Sequence, residues 1–165
     1  MNKQKLLYFN AHKPASYLMR NFVLLLFIII SSAIHAQTAF KASDLIGDWL
    51  VSEKTAVITF FADGDKFFGM TSWMGKPKDE HGKPRTDIHN PDPSKRSNLL
   101  LGMLLCKNFV YKGNGVWGDG TIYDSRSGRT YNCKITMKDI NTINLRGYIG
   151  ISLIGGSTTF TRKHK

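Results

Sequence analysis

The chain has 165 residues, 42% of them hydrophobic, and 23 Lys and Arg against 12 Asp and Glu give it a formal charge of +11. That length supports one domain with its own core and leaves no room for a second. The basic balance favours anionic partners such as envelope lipid headgroups or acidic polymers, yet Lys and Arg form no dense cluster, so nucleic acid is not an expected partner.

Residues 1–36 read as an export signal: a basic start with Lys3, Lys5, Lys13 and Arg20, the apolar run Phe22 to Ile30, then small residues up to Ala36. The apolar stretch, carried on to Ile34, is only about 13 residues against the roughly 20 of a spanning helix, so cleavage after Ala36 is expected and no membrane span should remain. Met19 is an alternative start, because Met19-Arg20-Asn21 before the apolar run is a conventional signal by itself. The expected product is an exported domain over 37–165, periplasmic or secreted.

Ser43-Asp44-Leu45-Ile46 predicts one short helical turn with Ser43 or Asp44 as its cap. Eight β runs follow: Asp48 to Ser52, Ala56 to Ala62, Lys66 to Trp73, Asn108 to Lys112, Val116 to Tyr123, Thr130 to Met137, Thr142 to Ile149 and Ser157 to Arg162. Tight-turn residues such as Asp63-Gly64-Asp65 and Gly113-Asn114-Gly115 make neighbours antiparallel. In Tyr131-Asn132-Cys133-Lys134-Ile135-Thr136-Met137 the odd positions are apolar and the even ones polar, which gives one buried and one wet face. No helix is long enough to cover such a sheet. The expected fold is therefore all-β: a closed antiparallel up-and-down barrel of about eight strands, filled by side chains or holding one small ligand.

After the third strand the pattern breaks into a polar stretch from Met74 to Asn98, which carries Pro77, Pro84, Pro91 and Pro93. Loops beyond about 12 to 15 residues are uncommon in compact domains and are usually functional or disordered. In Asn90-Pro91-Asp92-Pro93 each proline fixes its own φ and extends the residue before it, so this piece is a stiff bend that can hold Arg96 in place. His81, Asp87, His89 and Asp92 have donor types that bind metals, but their spacing fits no known site and a solvated turn explains them, so no metal or other cofactor is expected. Asp79, Glu80, Asp87 and Asp92 offer no identifiable acid/base pair, and the chain lacks the G-x-S-x-G, P-loop and H-E-x-x-H patterns. An enzyme is not the expected reading.

Two apolar segments do not alternate. Leu99 to Cys106 reads as a buried strand or a plug across one barrel end, with a Leu/Met wall of a ligand cavity as the sharper alternative. Ile149 to Gly156 reads as a barrel corner, or as an apolar lip at the mouth. Cys106 and Cys133 could form a disulfide worth roughly 3 kcal/mol in an oxidising compartment, or remain buried thiols. Trp49 on the first strand and Arg162 on the last should meet if the barrel closes, stacking to seal that end.

These residues resemble the Gly-x-Trp and terminal Arg of lipocalin barrels. The chain is more specifically similar, over about 44–164, to an exported bacterial domain-of-unknown-function family, DUF2147. The likeness rests on Asp44 to Trp49, Gly82 to Asp87, Asn90 to Pro93 with Arg96, Ile122 to Asp124, Gly128 to Cys133 and Leu145 to Gly150. Ser125, Phe160 and Ser97-Asn98 depart from the family's pattern. The resemblance implies an exported lipocalin-like barrel and carries no established activity. The combined expectation is a barrel binding a small apolar or amphipathic ligand, with the Lys76 to Ser97 loop as rim or lid and Asp87, Asn90, Asp92, Arg96, Tyr123, Tyr131, Arg146 and Tyr148 as contacts. The rival expectation is a filled barrel that presents its polar loop to an envelope partner.

Overall fold

The computed structural model describes residues 40–150 and 155–164. The expected export signal with its expected cleavage after Ala36, and residues 151–154 of the second apolar segment, lie outside the described residues.

A 3₁₀ turn over Ala42–Leu45 enters the barrel. Its cap is Lys41, whose backbone N–H donates to Asp44 Oδ2 at 2.7 Å, so Asp44 serves the turn from within instead of preceding it. Eight strands follow: β1 (Gly47–Val51), β2 (Ala56–Asp63), β3 (Lys66–Met74), β4 (Leu104–Tyr111), β5 (Val116–Asp124), β6 (Arg129–Asp139), β7 (Thr142–Tyr148) and β8 (Gly155–Arg162). Each pairs antiparallel with the next, and β8 returns to β1 through Trp49↔Arg162 and Val51↔Phe160, which closes the barrel. Among the described residues no helix is long and apolar enough to cross a membrane.

β4 begins four residues ahead of the expected Asn108. Cys106 and Phe109 are both buried although three residues apart, because Asn108 adopts φ 61 and the β3–β4 register shifts. A bulge of this kind breaks the two-residue period that sequence reading depends on. The preceding leucines are corrected too. Leu99 and Leu101 are 53% and 47% exposed, neither a buried strand nor a plug, and only Leu104 to Cys106 enter the sheet.

The interior is filled unevenly. Trp49, Phe60, Phe109 and Trp117 are fully buried with Leu45, Ile135 and Ile143 in one apolar cluster. Large side chains of this kind contribute about 1.5–3 kcal/mol each on burial. Two glycines make room for them: a Cβ on Gly120 would stand 2.4 Å from the Phe109 ring, and one on Gly69 would stand 2.9 Å from Phe60.

One end is sealed as expected. The Trp49 indole donates to the Leu45 carbonyl at 2.8 Å, and the Arg162 guanidinium lies 4.2 Å from the indole centroid. That guanidinium also donates to the carbonyls of Ile140 at 2.8 Å, Ile46 at 3.1 Å and Asp44, tying the last strand to the entry turn. Cys106 and Cys133 are buried free thiols, which corrects the disulfide alternative. Burial pushes both thiols upward, Cys133 to about 12, so they stay protonated and unreactive.

Candidate functional site

The long loop, the β1–β2 and β5–β6 turns and the β7–β8 connection all fall at the end opposite the Trp49 seal. The loop is built from small hydrogen-bonded pieces. Asp79 Oδ1 accepts from the backbone N–H groups of His81 and Lys83, both at 2.9 Å, and closes a turn bridged by Lys78 and Pro84. Thr86 then pairs with Leu99, and the Asp87 N–H donates to the Asn98 carbonyl at 2.9 Å, so the loop's two limbs run side by side.

Asp87 is the anchor. It is 1% exposed, and an unpaired buried carboxylate would cost several kcal/mol. Both of its oxygens are occupied: Oδ1 accepts from the Tyr123 hydroxyl at 2.8 Å and Oδ2 from Asn90 Nδ2 at 2.6 Å. Burial first, and then the Asp87 hydrogen bond and charge, push the Tyr123 phenol up to about 12. Asn90 Oδ1 in turn accepts from the Asp92 N–H at 2.9 Å. Asp92 caps the 3₁₀ turn Pro93–Lys95 through Ser94 and pairs with Lys95 at 2.9 Å. Hydrogen bonds from Ser94 and Lys95 hold its carboxyl at about 2. Arg96 Nε donates to the Asn90 carbonyl at 2.8 Å. The second fastening is backbone on backbone, since a Cβ on Gly128, at φ +69, would stand 2.0 Å from the His89 carbonyl oxygen.

Five of the eight expected contact residues thus converge, but their polar groups bond to one another. Asp87, Asn90, Asp92 and Arg96 shape the loop, and Tyr123 fastens it to the outer rim of β5, where it alternates with the inward Ile122. These bonds tie the loop to the end of β5. Arg146 and Tyr148 pair in register with Lys134 and Asn132 and alternate with buried Leu145. They therefore stand on the outer wall, with Arg146 Nη1 donating to Ser157 Oγ at 3.2 Å, and cannot line the interior. Tyr131, on the face of buried Cys133 and Ile135, does point inward.

Tyr131's neighbours Gly147 and Gly156 were not among the expected contacts, although the alternation had put Gly147 on the inner face. Gly147 pairs with Cys133 on one side and Gly156 on the other, so both glycines occupy inward positions near the open end. A Cβ on Gly156 would meet nothing within 4 Å, and one on Gly147 would meet only Ile122 at 3.6 Å and Tyr131 at 3.7 Å. Half-buried Thr158 is the next inward position on β8. The signal lay in the alternation Ile143, Leu145, Gly147, which continues inward through a residue that hydrophobicity patterns overlook. A separate open cleft of about 410 Å³ lies on the loop itself, lined by Lys76, Pro77, Lys78, Asp79, Glu80 and Arg85. Among the described residues no three His, Cys, Asp or Glu side chains converge as metal ligands.

A closed eight-stranded up-and-down barrel sealed by an Arg on a Trp at one end and bearing its loops at the other is a lipocalin-like architecture. The family model described as an uncharacterized protein conserved in bacteria (DUF2147) matches residues 47–162, and the chain belongs to that family. Among solved structures it is similar to protein HP1028 from Helicobacter pylori, described as belonging to the lipocalin family, with a TM-score of 0.64 and 18% identity over 73% of this chain and 83% of that one. No curated protein matches it.

Proposed function

We propose that the protein is an exported, non-catalytic barrel that takes a small apolar or amphipathic ligand into the recess bounded by Ile122, Tyr131, Gly147, Gly156 and Thr158, with the 76–97 loop as its rim. The observation that carries this reading is the inward Gly156, where an added Cβ would meet nothing within 4 Å, next to Gly147 and half-buried Tyr131. Because Trp49, Phe60, Phe109 and Trp117 fill the interior, the recess suits a ring or the end of a chain, not a long lipid swallowed whole. Catalysis gains no support from Asp87, the one buried carboxylate among the described residues, since both of its oxygens are already bonded within the loop and rim. The filled interior also supports the second reading, a non-enzymatic interaction module that works through the loop.

The test fills the recess from within. Gly156→Phe and Thr158→Phe should preserve the β-sheet circular dichroism while abolishing both the fluorescence of bound anilinonaphthalene sulfonate and any small molecule released on denaturing protein purified from its own host. Unchanged probe binding in both variants, or no released molecule from the parent protein, would refute the recess as a binding site and leave the interaction module.

A further inference from the structure

The rim has a chemistry that the recess does not explain. Ile88 is 63% exposed, Leu99 53% and Leu101 47%, and the Thr86–Leu99 bridge with the Asp87–Asn98 hydrogen bond keeps the first two close together. Ile149, 63% exposed, directly follows the end of β7 at the same end of the barrel. Isolated exposed apolar side chains are ordinary, but several on one rigid loop mark an interaction surface. Beside them stand Lys76, Lys78, Lys83, Arg85 and Arg96, all exposed and none in an ion pair with a carboxylate. Of the loop's acidic groups, Asp87 is buried under Tyr123, Asp92 holds Lys95 and Asp79 bonds the backbone of its own turn, while Glu80 stands exposed beside His81. The cleft lined by Lys76, Lys78 and Arg85, with Asp79 and Glu80 also on its wall, is open and large enough for a phosphate group, and its cations outnumber its carboxylates.

We infer that the open end of the barrel docks on an anionic phospholipid bilayer, with Ile88, Leu99 and Leu101 entering the interface and Lys76, Lys78 and Arg85 taking lipid phosphates. Apolar side chains flanked by unpaired cations match both layers of such a surface, the acyl boundary and the charged headgroups. Exposed apolar side chains and exposed cations borne by one loop point to a bilayer. The inference stands whether or not the recess holds a ligand.

The test compares the two ends of the full chain. An environment-sensitive fluorophore placed through Leu99→Cys, and in a separate sample through Asn114→Cys on the turn between β4 and β5, is mixed with phosphatidylglycerol/phosphatidylcholine vesicles; the native thiols are buried and do not compete for label. The Leu99 label should shift to the blue and brighten severalfold, the Asn114 label should not, and phosphatidylcholine alone should have little effect. Adding Lys76→Gln, Lys78→Gln and Arg85→Gln should weaken binding about a hundredfold at low salt, and less at high salt. An equal response at both labels, a response that survives the three charge removals, or one that needs envelope protein in place of vesicles would overturn the inference.

Discussion

Replacing Tyr123 with Phe removes one oxygen and tests how the loop is held. The hydroxyl donates to Asp87 Oδ1 at 2.8 Å, and Asp87 is 1% exposed, so water cannot readily take its place. Leaving a buried acceptor unsatisfied costs about 1–3 kcal/mol, towards the upper end for a carboxylate, so Tyr123→Phe should lose about 2–3 kcal/mol. The loss should be local. Amide hydrogen exchange at Asp87 and Asn90, whose N–H groups bond within the loop, should speed up at least tenfold, while the amides of β1 and β8 change little. The same contact sets a pH signature. The phenol is raised from 10 to about 12 in the fold, so the folded state keeps a proton that the unfolded chain gives up; the stabilisation is whole below pH 10 and declines as pH rises towards about 12. Urea unfolding of both proteins should therefore show a gap that is constant at neutral pH and narrows above pH 10. Stability within about 0.5 kcal/mol of the parent and unchanged exchange at Asp87 would refute the idea that this contact fastens the rim.

Arg162→Lys should lower stability by about 2–3 kcal/mol in chemical denaturation, nearly as much as Arg162→Ala, because an ammonium cannot stack flat on Trp49 while reaching three separate carbonyls. Gly120→Ala places a methyl 2.4 Å from the Phe109 ring and should cost about 1–3 kcal/mol by the same assay, with Gly120→Ala/Phe109→Leu recovering part of it. Cys106 and Cys133 should ignore a thiol reagent in the native protein and both react once it is unfolded without reductant; no reaction after unfolding would mean a disulfide.

The barrel was legible wherever one face is wet and the other dry. Tyr131 to Met137 and Ile143 to Leu145 display that alternation in the sequence, and β6 and β7 lie where it places them. It failed at Asn108, where a left-handed residue resets the period, and at Leu99 and Leu101, where hydrophobicity was taken for burial although these side chains face outward. Within the loop, proline spacing and short polar side chains singled out Asn90, Asp92 and Arg96, and the family resemblance added Asp87. What pattern alone could not reveal is that their bonds are spent on each other. Arg146 and Tyr148 carried attractive chemistry, yet the strand period had already assigned them to the wet face. The alternation had put Gly147 on the inner face with Ile143 and Leu145, whereas Gly156 became visible only through the register of β7 and β8.

The fastening of the rim by Tyr123 and by the His89–Gly128 contact has a kinetic consequence. A gate that must fold over its guest gives an association rate that saturates as guest concentration rises, because the closing motion becomes limiting. An entrance whose ordering entropy was met when the chain folded has no such step. If the barrel takes the guest proposed above, arrival should follow simple second-order behaviour, and differences among guests should appear in how long each one stays.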